Sequence, residues 1–132
     1  MKTLKKRLID RLDKIISIYV RTLYSKNGMV RCFTCDAVKP IKEIDCGHYI
    51  KRSNMNTRFD LDNLRPQCVA CNRFRDGMQD EFIGRLNLEM RRDMATELHR
   101  KKHIIKQWKS SELEELELKF KELLKCRKCD II

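Results

Sequence analysis

Residues 64–74 read LRPQCVACNRF. Cys68 and Cys71 form a CxxC pair, and CFTC at 32–35 is a second one. A CxxC at a tight turn points two thiolates at one ion, and two such pairs close a tetrahedral zinc site. Cys32, Cys35, Cys68 and Cys71 are therefore expected to hold one structural Zn²⁺. The 32 residues between the pairs, 36–67, exceed the roughly 15–20 of a compact zinc ribbon. Something folded must sit between them. A third pair, CRKC at 126–129, could bind a second zinc or replace one pair. A second zinc needs two more ligands and only Cys46, His99 and His103 remain, so we expect an unliganded or weakly ordered tail there.

Working outward, the chain has 132 residues, enough for one modest core that a metal would reinforce. Thirty Lys and Arg against 19 Asp and Glu give a formal charge of +11, which favours a polyanionic partner, nucleic acid above all. Seven cysteines, an odd number arranged as CxxC, argue against a secreted disulfide scaffold. No run of eighteen apolar residues offers a membrane span. The basic N-terminus faintly mimics a signal peptide, but Asp10, Arg11, Asp13 and Lys14 interrupt its apolar stretch. The expectation is a cytoplasmic protein with no membrane partner.

The fold class expected is α+β and mostly helical, in three parts. Residues 1–28 form a basic amphipathic helix. Leu8, Leu12, Ile15, Ile16, Tyr19 and Leu23 recur at helical spacing, and Asn27-Gly28 reads as its stop. Up to Arg31 this segment carries nine basic and two acidic side chains. Residues 29–80 form a small zinc-bound core with short extended pieces near 41–50. Residues 81–132 form a helical extension. Its last helix should start at a capping box, Ser111 with Glu114, and carry the ion pairs Glu115/Lys119 and Glu117/Lys121. Leu113, Leu116, Phe120 and Leu123 make an apolar seam for the first helix or for a second subunit, so a homodimer is open.

Chemistry gathers around the zinc pairs. DCGHYIKRS (45–53) holds Asp45 and His48, DLDNLRPQC (60–68) holds Asn63, and Asn72 directly follows Cys71. An imidazole accepts a proton near neutral pH and can activate water against a phosphodiester. A carboxylate and an amide oxygen suit Mg²⁺ or Mn²⁺, which would polarise the phosphate. In a regular strand Asp45 and His48 face opposite sides. A bulge at Gly47 would unite them, and Asp60 or Asp62 are the alternatives. Asn72 can also cap a following helix, and both roles can hold at once. Lys51, Arg52, Arg58, Arg65, Arg73 and Arg75 supply forks and points of positive charge for a DNA surface. His99 and His103 are spaced for a helical metal pair, but nothing nearby supports one.

Over CGHYIKR, TRFDLDNLRPQC and CNRFRDG, roughly residues 30–80, the sequence resembles the HNH or ββα-metal endonucleases. Within them it is similar to the NinG (Rap) family of lambdoid phage recombination nucleases. Its two knuckles flanking a site are laid out like those of phage recombination endonuclease VII. The resemblance implies a hairpin and helix clasping one divalent metal over the scissile phosphate. It makes His48 the general base, Asn63 the brace of the histidine loop, and Asn72 the last metal position, with Asp45 the nearest carboxylate. Many HNH enzymes have aspartate directly before the histidine, where this chain has Gly47. The resemblance further implies branched recombination intermediates (Holliday junctions, D-loops, flaps) as substrates, 5′-phosphate products, and action in the host cytosol if the chain is phage-encoded.

Two rival readings use fewer of these residues. One is a non-catalytic, zinc-stabilised nucleic-acid-binding protein. The other is a protein-interaction adaptor docking through its last helix. Neither needs Asp, His and Asn interleaved with CxxC pairs.

Overall fold

The structure, a computed structural model, describes residues 1–129, with side chains through Arg127. Helix α1 (Leu4–Leu23) starts where the Thr3 hydroxyl accepts from the Lys6 amide. Its spacing buries Leu8, Leu12, Ile16 and Val20 on one face. Each such side chain contributes about 1.5–3 kcal/mol on leaving water. Leu23, expected on that stripe, is exposed.

Asn27-Gly28 does more than end the helix. Both residues have positive φ, 54° and 77°, and they turn a two-residue hairpin between β1 (Ser25–Lys26) and β2 (Met29–Arg31). Asn-Gly suits that turn because both central positions need positive φ. Strand β3 (Val38–Pro40) pairs with β2 and completes a three-stranded antiparallel sheet.

The second sheet carries the chemistry. Strand β4 (Ile44–His48) pairs antiparallel with β5 (Leu64–Cys68), with Asp45 opposite Gln67 and His48 opposite Leu64. The register is one-to-one through Gly47 and Arg65, so the expected bulge at Gly47 is absent. Gly47 is instead required by close approach: a Cβ there would lie 2.0 Å from Gln67 Oε1. Gln67 is fully buried and donates to Thr34 Oγ1 and the Gly77 carbonyl, so it has no room to retreat.

After β5 the chain makes a π turn over Ala70–Phe74, then α2 (Gln79–Met90) and α3 (Met94–Lys102). Asp93 caps α3 by accepting from the Thr96 amide. Phe82, Leu86, Met94 and Leu98 close a core under Ile50. Helix α4 (Ser110–Cys129) returns to α1. Arg11 pairs with Glu117, and Arg127 donates to the Leu23 carbonyl, so the contacts climb both helices together and the two run parallel. Leu113 and Phe120 are buried against Leu8, Leu12, Ile16 and Val20, with Leu116 and Leu123 beside them. The seam that left a second subunit open is thus covered by α1.

The start of α4 corrects the capping box. Glu112, not Glu114, reaches back, accepting from the Lys109 amide at 3.0 Å and from Lys106 Nζ at 2.9 Å. Glu117/Lys121 forms at 3.0 Å. Glu115/Lys119 is not among the ion pairs of the described residues. No helix in the described residues is long and apolar enough to cross a membrane.

Candidate functional site

The four expected cysteines meet. The sulfurs of Cys32, Cys35, Cys68 and Cys71 lie within 4.8 Å of one another, and Cys35 and Cys68 are 3.7 Å apart. Zn–S bonds of about 2.3 Å imply a tetrahedral S···S edge of about 3.8 Å, so the set is sized for zinc. The first knuckle is locked locally: the Cys32 amide donates to Ala37, the Asp36 amide to Cys32, and the Phe33 amide to Pro66 on β5. Burial opposes a thiolate at Cys32, but hydrogen bonds from the Thr34 hydroxyl and nearby amides outweigh it and bring it to about 6. Cys35 is pushed to about 12 by burial and by the neighbouring thiols. Four thiols this close ionise together only around a cation, which fits Zn²⁺. Cys46 stands apart in the α1–α4 core, its thiol raised to about 12 by burial. Cys129 of the third pair has its side chain outside the described residues.

The cysteine cluster positions the residue that follows it. Cys71 is fully buried, and Asn72 is the next residue on the π turn. Asn72 is therefore inside a helical turn rather than at its cap. The wide turn lets consecutive side chains reach one carboxylate. Asn72 Nδ2 donates to Asp45 Oδ2 at 2.9 Å, and Arg73 donates through Nε and an Nη to the two Asp45 oxygens, each at 2.8 Å. Burial works against the Asp45 charge. The Arg73 and Asn72 hydrogen bonds win, holding the carboxyl below its usual range. Asp60 and Asp62 lie elsewhere: Asp60 caps the turn before Asn63 and pairs with Lys101 at 2.7 Å, and Asp62 sits 3.7 Å from Arg92.

His48 ends β4, and its Nε2–H donates to the Arg58 carbonyl at 3.2 Å. A carbonyl only accepts, so the neutral ring carries its proton on Nε2 and keeps a lone pair on Nδ1. Burial lowers the pKa from its usual 6.5, against an opposing pull from the Arg58 carbonyl. The loop after His48 is tied by Asn63, which is fully buried. Its Oδ1 accepts from the Ile50 amide at 2.7 Å, and its Nδ2 donates to the carbonyls of Ile50 and Thr57.

Asp45, His48, Asn72 and Arg73 line one cavity of about 420 Å³, although strand alternation separates the first two. The cavity spans the edge of β4, so a bulge is not needed to bring both to it. Its far wall is α1, whose Asp13, Ser17 and Arg21 recur every four residues beside the buried 12-16-20 stripe. That polar row was the available signal for residues the sequence pattern alone left unassigned. Asp13 holds Arg58 through both carboxylate oxygens, with Nε to Oδ1 at 3.0 Å, and so fixes the loop whose carbonyl holds His48.

The expected DNA-facing cations divide. Lys51, Arg52, Arg73 and Arg75 are exposed, and Arg58 is mostly enclosed by its Asp13 pair. Arg65 does not face solvent: it is 5% exposed, bonded to Glu89 Oε2 at 2.7 Å and to the carbonyls of Leu61 and Leu64. It braces β5 against α2. Among the described residues, the four-cysteine set is the one cluster of His, Cys, Asp and Glu sized for a metal, and His99 instead meets the Tyr49 hydroxyl at 3.2 Å.

The family model of the bacteriophage lambda NinG protein matches residues 1–129. The chain belongs to the NinG family. The match extends beyond the cysteine core to α1, which walls the cavity, and to α4, which packs on α1. None of the curated proteins and none of the solved structures compared with this NinG-family chain matches it.

Proposed function

We propose that this NinG-family protein is a metal-dependent DNA endonuclease of the HNH type, acting on branched intermediates in phage recombination. The observation that carries the reading is the meeting of His48, Asp45 and Asn72 in one cavity beside a four-cysteine cluster. The β4–β5 hairpin followed by a helical turn supports an HNH-like core.

The donor set fits a small hard cation. Asp45 and Asn72 offer a carboxylate and an amide at an open cavity, and Mg²⁺ or Mn²⁺ commonly takes one or two such ligands and keeps its waters. When bound, the ion would supply charge stabilisation at the phosphate. The protein does the rest. The Arg58 carbonyl holds His48 Nε2–H, so Nδ1 accepts the proton of an attacking water. Asn63 keeps the loop behind it rigid, and the zinc knuckle keeps Asn72 in place. Arg52 lines the cavity and meets phosphate oxygens with its fork, and Arg73 joins it once a cation has displaced it from Asp45.

One observation favours the non-catalytic alternative. Arg73 already neutralises Asp45, as a purely structural ion pair would. The two readings separate on a substrate panel: zinc-loaded protein with linear duplex, flap and four-way DNA, with and without Mg²⁺. The nuclease reading expects Mg²⁺-dependent cutting, greatest on the branched forms. Binding without cutting on every substrate would favour the alternative.

A further inference from the structure

Beyond the His48 cavity the depression continues. A second hollow of about 770 Å³ shares Cys46, His48, Arg52 and Asn72 with the first, and a third of about 340 Å³ shares Lys51 and Gln79 with the second. The three form one groove, running from α1 across the end of β4 to the loop 49–54 and α3.

The charge changes along it. In the first hollow the carboxylates of Asp13 and Asp45 are each occupied by an arginine, and the second hollow holds one exposed carboxylate, Asp76, beside Lys51 and Arg52. The third hollow has no carboxylate in its lining, and its polar side chains besides Tyr49 are Lys51, Ser53, Asn54, Gln79, His99 and Lys102. Asp80 and Asp93 act on Tyr49 from outside that lining. Lys102 is exposed, and what it gives the fold is its backbone carbonyl, which accepts from Asn54 Nδ2 at 2.8 Å. The Tyr49 hydroxyl and His99 ring brace each other at the wall. Two lysines beside the Ser53 hydroxyl and the Gln79 amide in one hollow are chemistry for a phosphate oxygen.

We propose that the hollow between loop 49–54 and α3 is a second phosphodiester subsite, in which Lys51 and Lys102 hold a DNA backbone phosphate on the strand that passes His48. The inference rests on the nuclease reading for its direction, because the shared walls make the groove one path through the cutting site. It assigns α3 the job of gripping DNA away from the reacting phosphate. Such a grip raises affinity without changing the chemical step.

The test is a polarisation titration of labelled duplex DNA with zinc-loaded full-length protein, across a salt series and without Mg²⁺. Removing one lysine–phosphate pairing should lower the slope of log K against log salt by about 0.9. Lys102→Gln is expected to lower it by about that amount and to weaken binding several-fold. Lys119→Gln, on an exposed turn of α4, is the control and should keep the wild-type slope. A wild-type slope in Lys102→Gln, or an equal drop in Lys119→Gln, overturns the subsite. A Mg²⁺ arm separates the two claims. Protein that binds with a Lys102-dependent slope yet never cuts overturns the nuclease reading and leaves the phosphate grip. Protein that cuts while Lys102→Gln binds like wild type overturns the subsite alone.

Discussion

His48 Nε2 and the carbonyl oxygen of Arg58 are 3.2 Å apart, and the Arg58 guanidinium is in turn held by Asp13 on α1. The first link sets the tautomer and leaves Nδ1 free to take a proton. The second ties the histidine loop to a helix that enters the chain 35 residues earlier. The N-terminal helix is thus part of the site and not an appendage.

Asp13→Ala should therefore damage both stability and rate. The Arg58–Asp13 pair is mostly enclosed, and removing one partner leaves a charge without its counter-ion. The expected cost is about 3 kcal/mol in urea unfolding. In cleavage assays at a temperature where the variant stays folded, kcat should fall about tenfold or more with little change in KM. A position that only stabilised the fold would leave kcat of the folded fraction unchanged.

Acid should weaken the fold through His48. Burial lowers its folded pKa below 6.5, so the unfolded chain takes the proton first. Above 6.5 neither state is protonated and the residue contributes no pH dependence. As pH falls from 6.5 through the folded value, the unfolded state binds more protons and stability drops, then levels off. Urea midpoints from pH 7.5 to 5 should show this decline in wild type, and His48→Gln should flatten that part of it. Equal declines in both proteins would remove His48 as the cause.

Zinc should be held by four cysteines and not five. Cys32→Ser and Cys71→Ser are each expected to lose most bound zinc and cooperative unfolding, because zinc binding and folding are coupled. Cys46→Ala should keep one zinc per chain and lose only packing. Metal analysis of the purified variants distinguishes these outcomes.

Gly47→Ala should be costly for a reason unrelated to backbone freedom. Its Cβ would collide with the Oε1 of Gln67, which is held at its amide nitrogen by Thr34 and Gly77. Overpacking of this kind costs about 1–3 kcal/mol. A variant as stable as wild type in urea would show that Gln67 can move.

Arg73 and a divalent cation are rivals for Asp45. On the nuclease reading, Arg73→Ala should bind Mn²⁺ several-fold more tightly while binding DNA more weakly. Mn²⁺ titration of zinc-loaded protein by electron paramagnetic resonance reads the first effect without any cleavage. Unchanged Mn²⁺ affinity would mean that Asp45 is no ligand.

Local patterns made much of this legible. CxxC spacing foretold the four-cysteine cluster because two residues between thiols leave few other geometries. Helical periodicity foretold α1 and the α4 seam, because burying 8-12-16-20 needs a matching stripe such as 113-116-120-123. Long-range pairing was less visible. Arg65 reads as a surface cation in LRPQC, and only the approach of Glu89 on α2 makes it a brace. Gly47 suggested a bulge, because the sequence does not reveal that Gln67 lies across from it. Asp13 was hidden for the same reason: its role depends on Arg58, 45 residues away. The capping box moved because Lys106 and the Lys109 amide together draw Glu112 back.

The most direct test of the account is single-turnover cleavage of labelled four-way and flap DNA in Mg²⁺, comparing zinc-loaded wild type with His48→Ala. The account predicts cutting by the wild type and a rate lower by about 10²–10⁴ in the variant, with zinc content and DNA affinity retained. Undiminished cleavage by His48→Ala would contradict it, as would zinc-loaded wild type that binds these substrates and cuts none.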